Sequence, residues 1–328
     1  TLRLAMDIRM QQKADELLGN RRGAVVAIDP QTGGVLALVS KPSFDPNLFI
    51  DGIDSENWKA LNENWETPMI NRTIQGLYPP GSTFKPFISM AILESGKLTQ
   101  TSVVPAPGAW SIPGSSHQYR DSVRSGHGAV NLQRAITVSS DTFFYRIGYE
   151  MGIDKVAPYL KQFDLGQLTG LDLPNENKGI LPSREWKKER FKKSPKNQEW
   201  HPSEMVSISI GQGYNTYTPL QMAHATAILA NNGVVYRPHV VKELHNHQTQ
   251  QITLVDPKPE RTLPYKQSNF DYVKKGMEGV LRPGGTGWRV GSGLQYTMGG
   301  KTGTAQVKSI AHGKSYNAAA LAVQHRDH

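Results

Sequence analysis

The chain has 328 residues, of which 38% are hydrophobic. That is enough to bury a full core in one large domain or two closely joined lobes, and it excludes a disordered protein. The 37 basic residues outnumber the 28 acidic ones to leave a charge of +9, a balance that suits nucleic acid, anionic lipid or an acidic polymer and selects none of them. With no cysteine, disulfides, thiolate catalysis and cysteine-bound zinc are excluded.

The first segment, from Asp7 to Leu18, has helical spacing, and GAVVAID, a turn over Pro30 to Gly34, and VLALVSKP then predict a β-hairpin. Its apolar runs fall far short of the roughly 18 residues a membrane helix needs. The opening TLRLAMDIRM has no signal-peptide pattern, so any membrane anchor is expected to lie outside this sequence. A loop rich in Asp, Asn and Trp covers Phe44 to Pro68, and YPPGSTFKPF then punctuates the chain before a helix from about Thr83 to Glu94, closed by Gly96. Asn131 to Met151 reads as helical with a polar break, Ser139-Ser140-Asp141, in which Ser140 or Asp141 caps the second half. Thr218 as N-cap, Pro219 at the first helical position and Gly233 as the stop mark a third helix.

VVYRPHVV and QITLV predict strands, Asp271 to Val280 a helix, LRPGGTG a turn and TMGGKTGTAQV a strand. The basic run SREWKKERFKK reads as a solvated helical face. Strands at both chain ends with helices between them predict an antiparallel sheet flanked by helices, with an all-helical lobe inserted. The sheet lobe is expected over about 1–45 and 235–328, and the helical lobe over about 70–233.

Three polar motifs stand out. Ser82 and Lys85 are three apart on a helix, which puts both side chains on one face, behind a start stiffened by Pro79, Pro80 and Gly81. Free N–H groups at a helix start favour negative charge on a substrate oxygen. Taken alone, S-x-x-K is more often a capping serine and a solvated lysine. Ser139-Ser140-Asp141 is by itself a helix junction. Lys301-Thr302-Gly303-Thr304 is by itself an edge strand with a protective lysine, although Gly303 would let another group approach the backbone. S-x-x-K, then S-x-D, then K-T-G, in this order on helix, inter-helix break and strand, is the signature set of penicillin-binding proteins and serine β-lactamases.

The match is closer than the superfamily. NRTIQGLYPPGSTFKP, SSDTFFY, GIDKVAPYLKQF, SIGQGYNTYTPLQM and KTGTAQV resemble the penicillin-binding protein 2 subfamily, monofunctional transpeptidases of the Gram-negative elongation machinery. The resemblance covers nearly the whole chain and implies an α/β fold of the penicillin-binding protein/serine β-lactamase type. It implies a serine-type D-Ala-D-Ala transpeptidase with Ser82 as nucleophile, Lys85 as general base, Ser139 as proton shuttle, and Lys301, Thr302 and Thr304 holding the substrate carboxylate. Gly303 stays small so that the backbone N–H groups of Ser82 and Thr304 can form the oxyanion hole. Asp141 stands where many relatives carry asparagine. An ordinary lysine titrates near 10.4, so a neutral amine at pH 7 costs on the order of 4.6 kcal/mol; burial and a second cation, Lys301, both lower that cost.

The implied ligands are a stem pentapeptide ending in D-Ala-D-Ala and β-lactams. The implied partners are a SEDS-type glycosyltransferase and elongation-complex scaffold proteins, at the periplasmic face of the inner membrane. No nucleic-acid fold or motif accompanies them, and no cofactor is expected. The family's N-terminal membrane helix and pedestal domain are expected to be absent here, and its last two strands and C-terminal helix to be missing. Some relatives bind zinc at positions that match Ala106, Asp121, His127 and Ser140. Only Asp121 and His127 match ligands of those relatives, and half of a tetrahedral site predicts no bound metal. SIGQGY around Gly211 and Gly213 resembles a segment that the family places near the active site.

Overall fold

A computed structural model describes residues 1–305. The chain opens with β1 (Leu2–Leu4) and α1 (Ile8–Leu18), whose start is capped by the Asp7 carboxylate accepting from Arg9 N–H and Met10 N–H. The predicted hairpin is present as β2 (Gly23–Ile28) and β3 (Val35–Lys41). The polar loop after it is less irregular than its composition suggests, because Asp54 caps α2 (Ser55–Glu63) with two backbone N–H bonds.

The predicted helix after the Pro-Pro-Gly start is built in two parts. Gly81–Phe84 forms a 3-10 turn that runs directly into α3 (Lys85–Glu94). Every residue from Lys85 to Leu93 is buried, which is why this helix lacks a polar face: it is apolar all round and runs through the core. Short strands follow, β4 (Val103–Ala106), β5 (Ala109–Trp110), β6 (Tyr119–Arg120) and β7 (Gly128–Asn131), with β4 paired to β7 and β5 to β6.

The helical region over Asn131 to Met151 splits at its polar break. α4 (Leu132–Val138) ends on Ser139, and Ser140 caps α5 (Asp141–Met151) by accepting from Phe143 N–H. α6 (Ile153–Lys161), α7 (Arg184–Arg190), α8 (Glu204–Ile208) and α9 (Pro219–Ala230) complete this part. Thr218 and Gln221 form a reciprocal capping box at α9.

The basic run is not wholly solvated. On α7, Lys187 is only 2% exposed, bonded to Glu204 Oε1 and lying over the rings of Trp200 and Tyr214. A lysine stem tolerates this burial because the carboxylate and the aromatic faces replace its water shell.

The C-terminal part carries β8 (Val234–Tyr236), β9 (Val241–His245), β10 (Ile252–Leu254), β11 (Pro259–Thr262), α10 (Gln267–Val280) and α11 (Trp288–Gly291). β1 from the N-terminus pairs with β9, so residues far apart in sequence share one three-stranded antiparallel sheet, β1-β9-β10. β8 pairs with β11, and a parallel bridge from Gly34 to His239 ties the β2-β3 hairpin to this region.

The expected strand over TMGGKTGTAQV departs from this picture. Residues 297–305 form no ladder among the described residues, as fits a stretch with three glycines and no strand beside it, while Gln306 and Val307 lie outside the described residues. Among the described residues, no helix is long and apolar enough to cross a membrane.

The core is centred on α3, with α4, α6 and α10 packed against it. Phe270 on α10 is fully buried beneath the turn at Gly233. Phe270→Ala should therefore cost about 3–5 kcal/mol of stability, read as a lower denaturant midpoint with an unchanged slope.

Candidate active site

Three stretches of backbone meet at Ser82. Gly81, at φ +54°, donates its N–H to Gly211 O at 3.0 Å. Thr83 Oγ1 donates back to Pro80 O at 2.6 Å and tightens the turn. The contact distances leave no room for side chains here. A Cβ on Gly211 would lie 2.2 Å from Gly81 O, one on Gly81 2.6 Å from Thr304 O, and one on Gly303 2.7 Å from Thr83 Cγ2. The Lys301–Thr304 stretch thus lies against the Ser82 turn, as its motif predicts, even without a strand ladder. Ser82 N–H belongs to the first helical turn, where no intrahelical acceptor exists, and Thr304 N–H has no backbone acceptor among the described residues.

Ser139 brings the other two motifs together. Its backbone is left-handed, at φ 57° and ψ 40°, an unusual state for a residue with a side chain and one that marks functional turns. Lys301 Nζ donates to Ser139 Oγ at 2.8 Å and to Thr302 O at 2.9 Å. Lys85 Nζ, fully buried, donates to Ser139 O at 2.8 Å, to Ser139 Oγ at 3.2 Å and to Asp141 Oδ1 at 2.6 Å. One hydroxyl therefore sits between two amines.

The spacing of Ser82 and Lys85 puts both residues at the same helix start, yet the amine's bonds run to Ser139 and Asp141. Ser82 Oγ is not among its partners. The reason is electrostatic: a buried ammonium is drawn to a carboxylate before a neutral hydroxyl.

The penicillin binding protein transpeptidase domain model matches residues 23–324. The chain belongs to this family. The peptidoglycan D,D-transpeptidase MrdA of Acinetobacter baumannii is 45% identical over 329 residues, which is all of this chain and 48% of that protein. The crystal structure of Pseudomonas aeruginosa PBP2 in complex with WCK 5153 superposes with a TM-score of 0.84 at 41% identity, over 93% of this chain and 68% of that one. PBP2 of Helicobacter pylori in its complex with MreC gives 0.82 at 34% identity, over 93% and 55%. The fold is that of penicillin-binding protein transpeptidase domains, and the chain spans about half the length of the curated relatives it matches.

The family's two lysines are unequal here. Burial pushes Lys85 below the usual lysine range, while Asp141 pulls the other way. Lys301 is lowered to about 7 by its own burial and by the neighbouring Lys85 charge, with Asp141 opposing. Asp121 is the second carboxylate in this neighbourhood. Burial would raise it, but hydrogen bonds from Thr142 N–H, Val123 N–H and Ser140, together with His127, outweigh that and hold it below the ordinary range.

The four positions at which some relatives hold zinc do converge, since His127 Nε2 lies 3.1 Å from Asp121 Oδ1, Ser140 Oγ donates to Asp121 Oδ2 at 3.0 Å, and His127 N–H donates to Ala106 O at 2.8 Å. They do not fit a zinc ion. Ala106 offers a buried methyl and the Ser140 proton is spent on Asp121, so only two side chains remain that could ligate, against about four required. Sequence motifs gave no hint of how many donors Asp121 gathers. In the sequence Asp121 stands out only through the resemblance, as one half of a zinc site.

Two outcomes are expected. Gly211→Ala forces a side chain into a left-handed position at φ +73° and should destabilise by about 1–3 kcal/mol from the backbone alone, with slower labelling by a fluorescent penicillin. Because Lys301 is partly neutral at pH 7, an anionic ligand raises its pKa and binding takes up a proton above pH 7. In Ser82→Ala protein, affinity for a penicillin carboxylate should weaken as pH rises from 7 to 9, and calorimetry in two buffers should register proton uptake.

Proposed function

We propose that this chain is the catalytic domain of a peptidoglycan D,D-transpeptidase that cross-links stem peptides during cell elongation and is acylated by β-lactams. One arrangement carries the reading: Ser139 Oγ lies between Lys85 and Lys301, while Gly303 and Thr304 press on the turn that presents Ser82. Ser82 attacks the carbonyl of the penultimate D-alanine. The resting Lys85 ammonium, which burial makes easier to deprotonate, acts in this step as the neutral amine and takes the hydroxyl proton of Ser82. The N–H groups of Ser82 and Thr304 receive the developing oxyanion. Ser139 relays the proton to the leaving nitrogen, and terminal D-alanine departs. An amine from a second stem peptide then attacks the acyl-enzyme by the same relay in reverse.

Lys301, Thr302 and Thr304 hold the substrate carboxylate. Lys301 has no carboxylate partner among the described residues, so an anionic substrate end supplies the charge it lacks. The complex of the Helicobacter pylori relative with MreC supports an elongation-complex scaffold protein as a partner, and the resemblance to penicillin-binding protein 2 supports a SEDS-type glycosyltransferase beside it. Partners of this kind would hold the domain at the periplasmic face of the inner membrane.

A serine β-lactamase would share the acylation step but release the adduct rapidly with an activated water. Mass spectrometry after penicillin treatment should show one adduct that persists for hours in the wild type and none in Ser82→Ala. An adduct lost within milliseconds would favour the β-lactamase, and labelling that survives Ser82→Ala would remove Ser82 as the nucleophile.

A further inference from the structure

Asp121 belongs to none of the three motifs, yet it is among the most heavily bonded carboxylates in the chain, and its side chain is fully buried. Oδ2 accepts from Ser140 Oγ at 3.0 Å, Thr142 N–H at 3.1 Å and Thr142 Oγ1 at 3.2 Å. Oδ1 receives Val123 N–H at 3.2 Å, the Ser122 hydroxyl at 3.3 Å and His127 Nε2 at 3.1 Å. Ser140 and Thr142 are the immediate neighbours of Asp141, and Ser140 also adjoins Ser139.

We propose that Asp121 is a positioning residue for the reaction: its carboxylate grips the chain on both sides of Asp141 and so fixes the left-handed Ser139 turn against Lys85 and Lys301. The inference rests on the transpeptidase reading above.

Three features make this more than local packing. The turn is held in a backbone state that a serine does not adopt unaided. The carboxylate lies at the first turn of α5, where the helix dipole favours an anion. Its other oxygen is anchored to the β6–β7 connection through Val123 and His127, so the grip refers Ser139 to a separate part of the fold. A hydrogen-bonded carboxylate here performs the tethering that a four-ligand metal site could supply, and the residues present do not make such a site.

The test is the first-order acylation rate constant at saturating benzylpenicillin, measured below the melting temperature of each variant. Asp121→Asn keeps the volume but turns one acceptor into a donor facing other donors. The rate constant should fall about tenfold to a hundredfold, as expected for reacting groups displaced by a fraction of an ångström to an ångström. Noncovalent affinity, read in the Ser82→Ala background, should change less than about threefold, because ground-state binding does not depend on the turn's exact placement. Asp121→Glu keeps the charge but lengthens the arm, and should also be slow. Ser122→Ala removes one peripheral bond and should acylate at the wild-type rate.

Should Asp121→Asn fail to fold, Ser140→Ala carries the same expectation with a several-fold loss. A wild-type rate constant in the folded Asp121→Asn protein would overturn the proposal. So would an Asp121→Glu rate equal to wild type, or a wild-type rate that rises with added zinc and falls with a chelator. If wild-type protein forms no Ser82 adduct, the transpeptidase reading itself fails and this inference with it.

Discussion

The site depends on a hydroxyl shared by two amines. Ser139 Oγ can accept from Lys85 and Lys301 at once only because its backbone turns left-handed between α4 and α5, which swings the side chain back toward α3. A glycine would adopt this turn freely but would carry no hydroxyl, and most other residues would carry the strain without the function. The surrounding contacts meet that cost. Ser140 caps α5, Asp121 collects donors from both sides of Asp141, and Lys85 bonds the Ser139 carbonyl as well as its hydroxyl. Each would be an ordinary local feature elsewhere. Together they hold one side chain in one place.

A second constraint is the absence of side chains. Gly81, Gly211 and Gly303 come from three separate stretches, and at each of them a single Cβ would collide with another's backbone or a near neighbour. Close approach of main chains is what would let N–H groups rather than flexible side chains face a reacting carbonyl in the proposed reaction, and main-chain donors need little reorganisation when charge develops. The two prolines before Gly81 serve the same end by restricting how the helix can start.

Much of this was legible in the sequence because it is written in short-range chemistry. The cap at Thr218, the cap at Ser140 as one of the two residues named for it, the hairpin around Pro30 to Gly34 and the stop at Gly233 depend on neighbours a few residues away, and the structure has them where the pattern put them. The three motifs named from their order do come together in space, around Ser139 and the Ser82 turn. What escaped was set by distant partners. Lys187 looked like one more solvated cation in a basic run, and only the arrival of Glu204, Trp200 and Tyr214 turns it inward. Asp121 lies in a stretch of turns and two-residue strands with no periodicity to read, so the convergence of six donors on it is a property of the fold alone. The Lys301 segment reads as a strand from its composition, but a strand is defined by a partner, and among the described residues it has none.

The charge pattern explains why the two lysines are not redundant. Lys85 has Asp141 at 2.6 Å and the field of Asp121 behind it, so its buried charge is compensated within the protein. Lys301 has two oxygen acceptors but no carboxylate among the described residues, and the Lys85 charge beside it works against its own. An amine so placed is poorly satisfied until an anion arrives, so the site's demand for a counter-charge is directed outward at the ligand. In the proposed reaction, a carboxylate that pairs with Lys301 would offset its repulsion of Lys85 across the hydroxyl that lies between them. In the proposed reaction, binding rests on Lys301, Thr302 and Thr304, while the proton transfer that follows depends on where the Ser139 turn holds its hydroxyl.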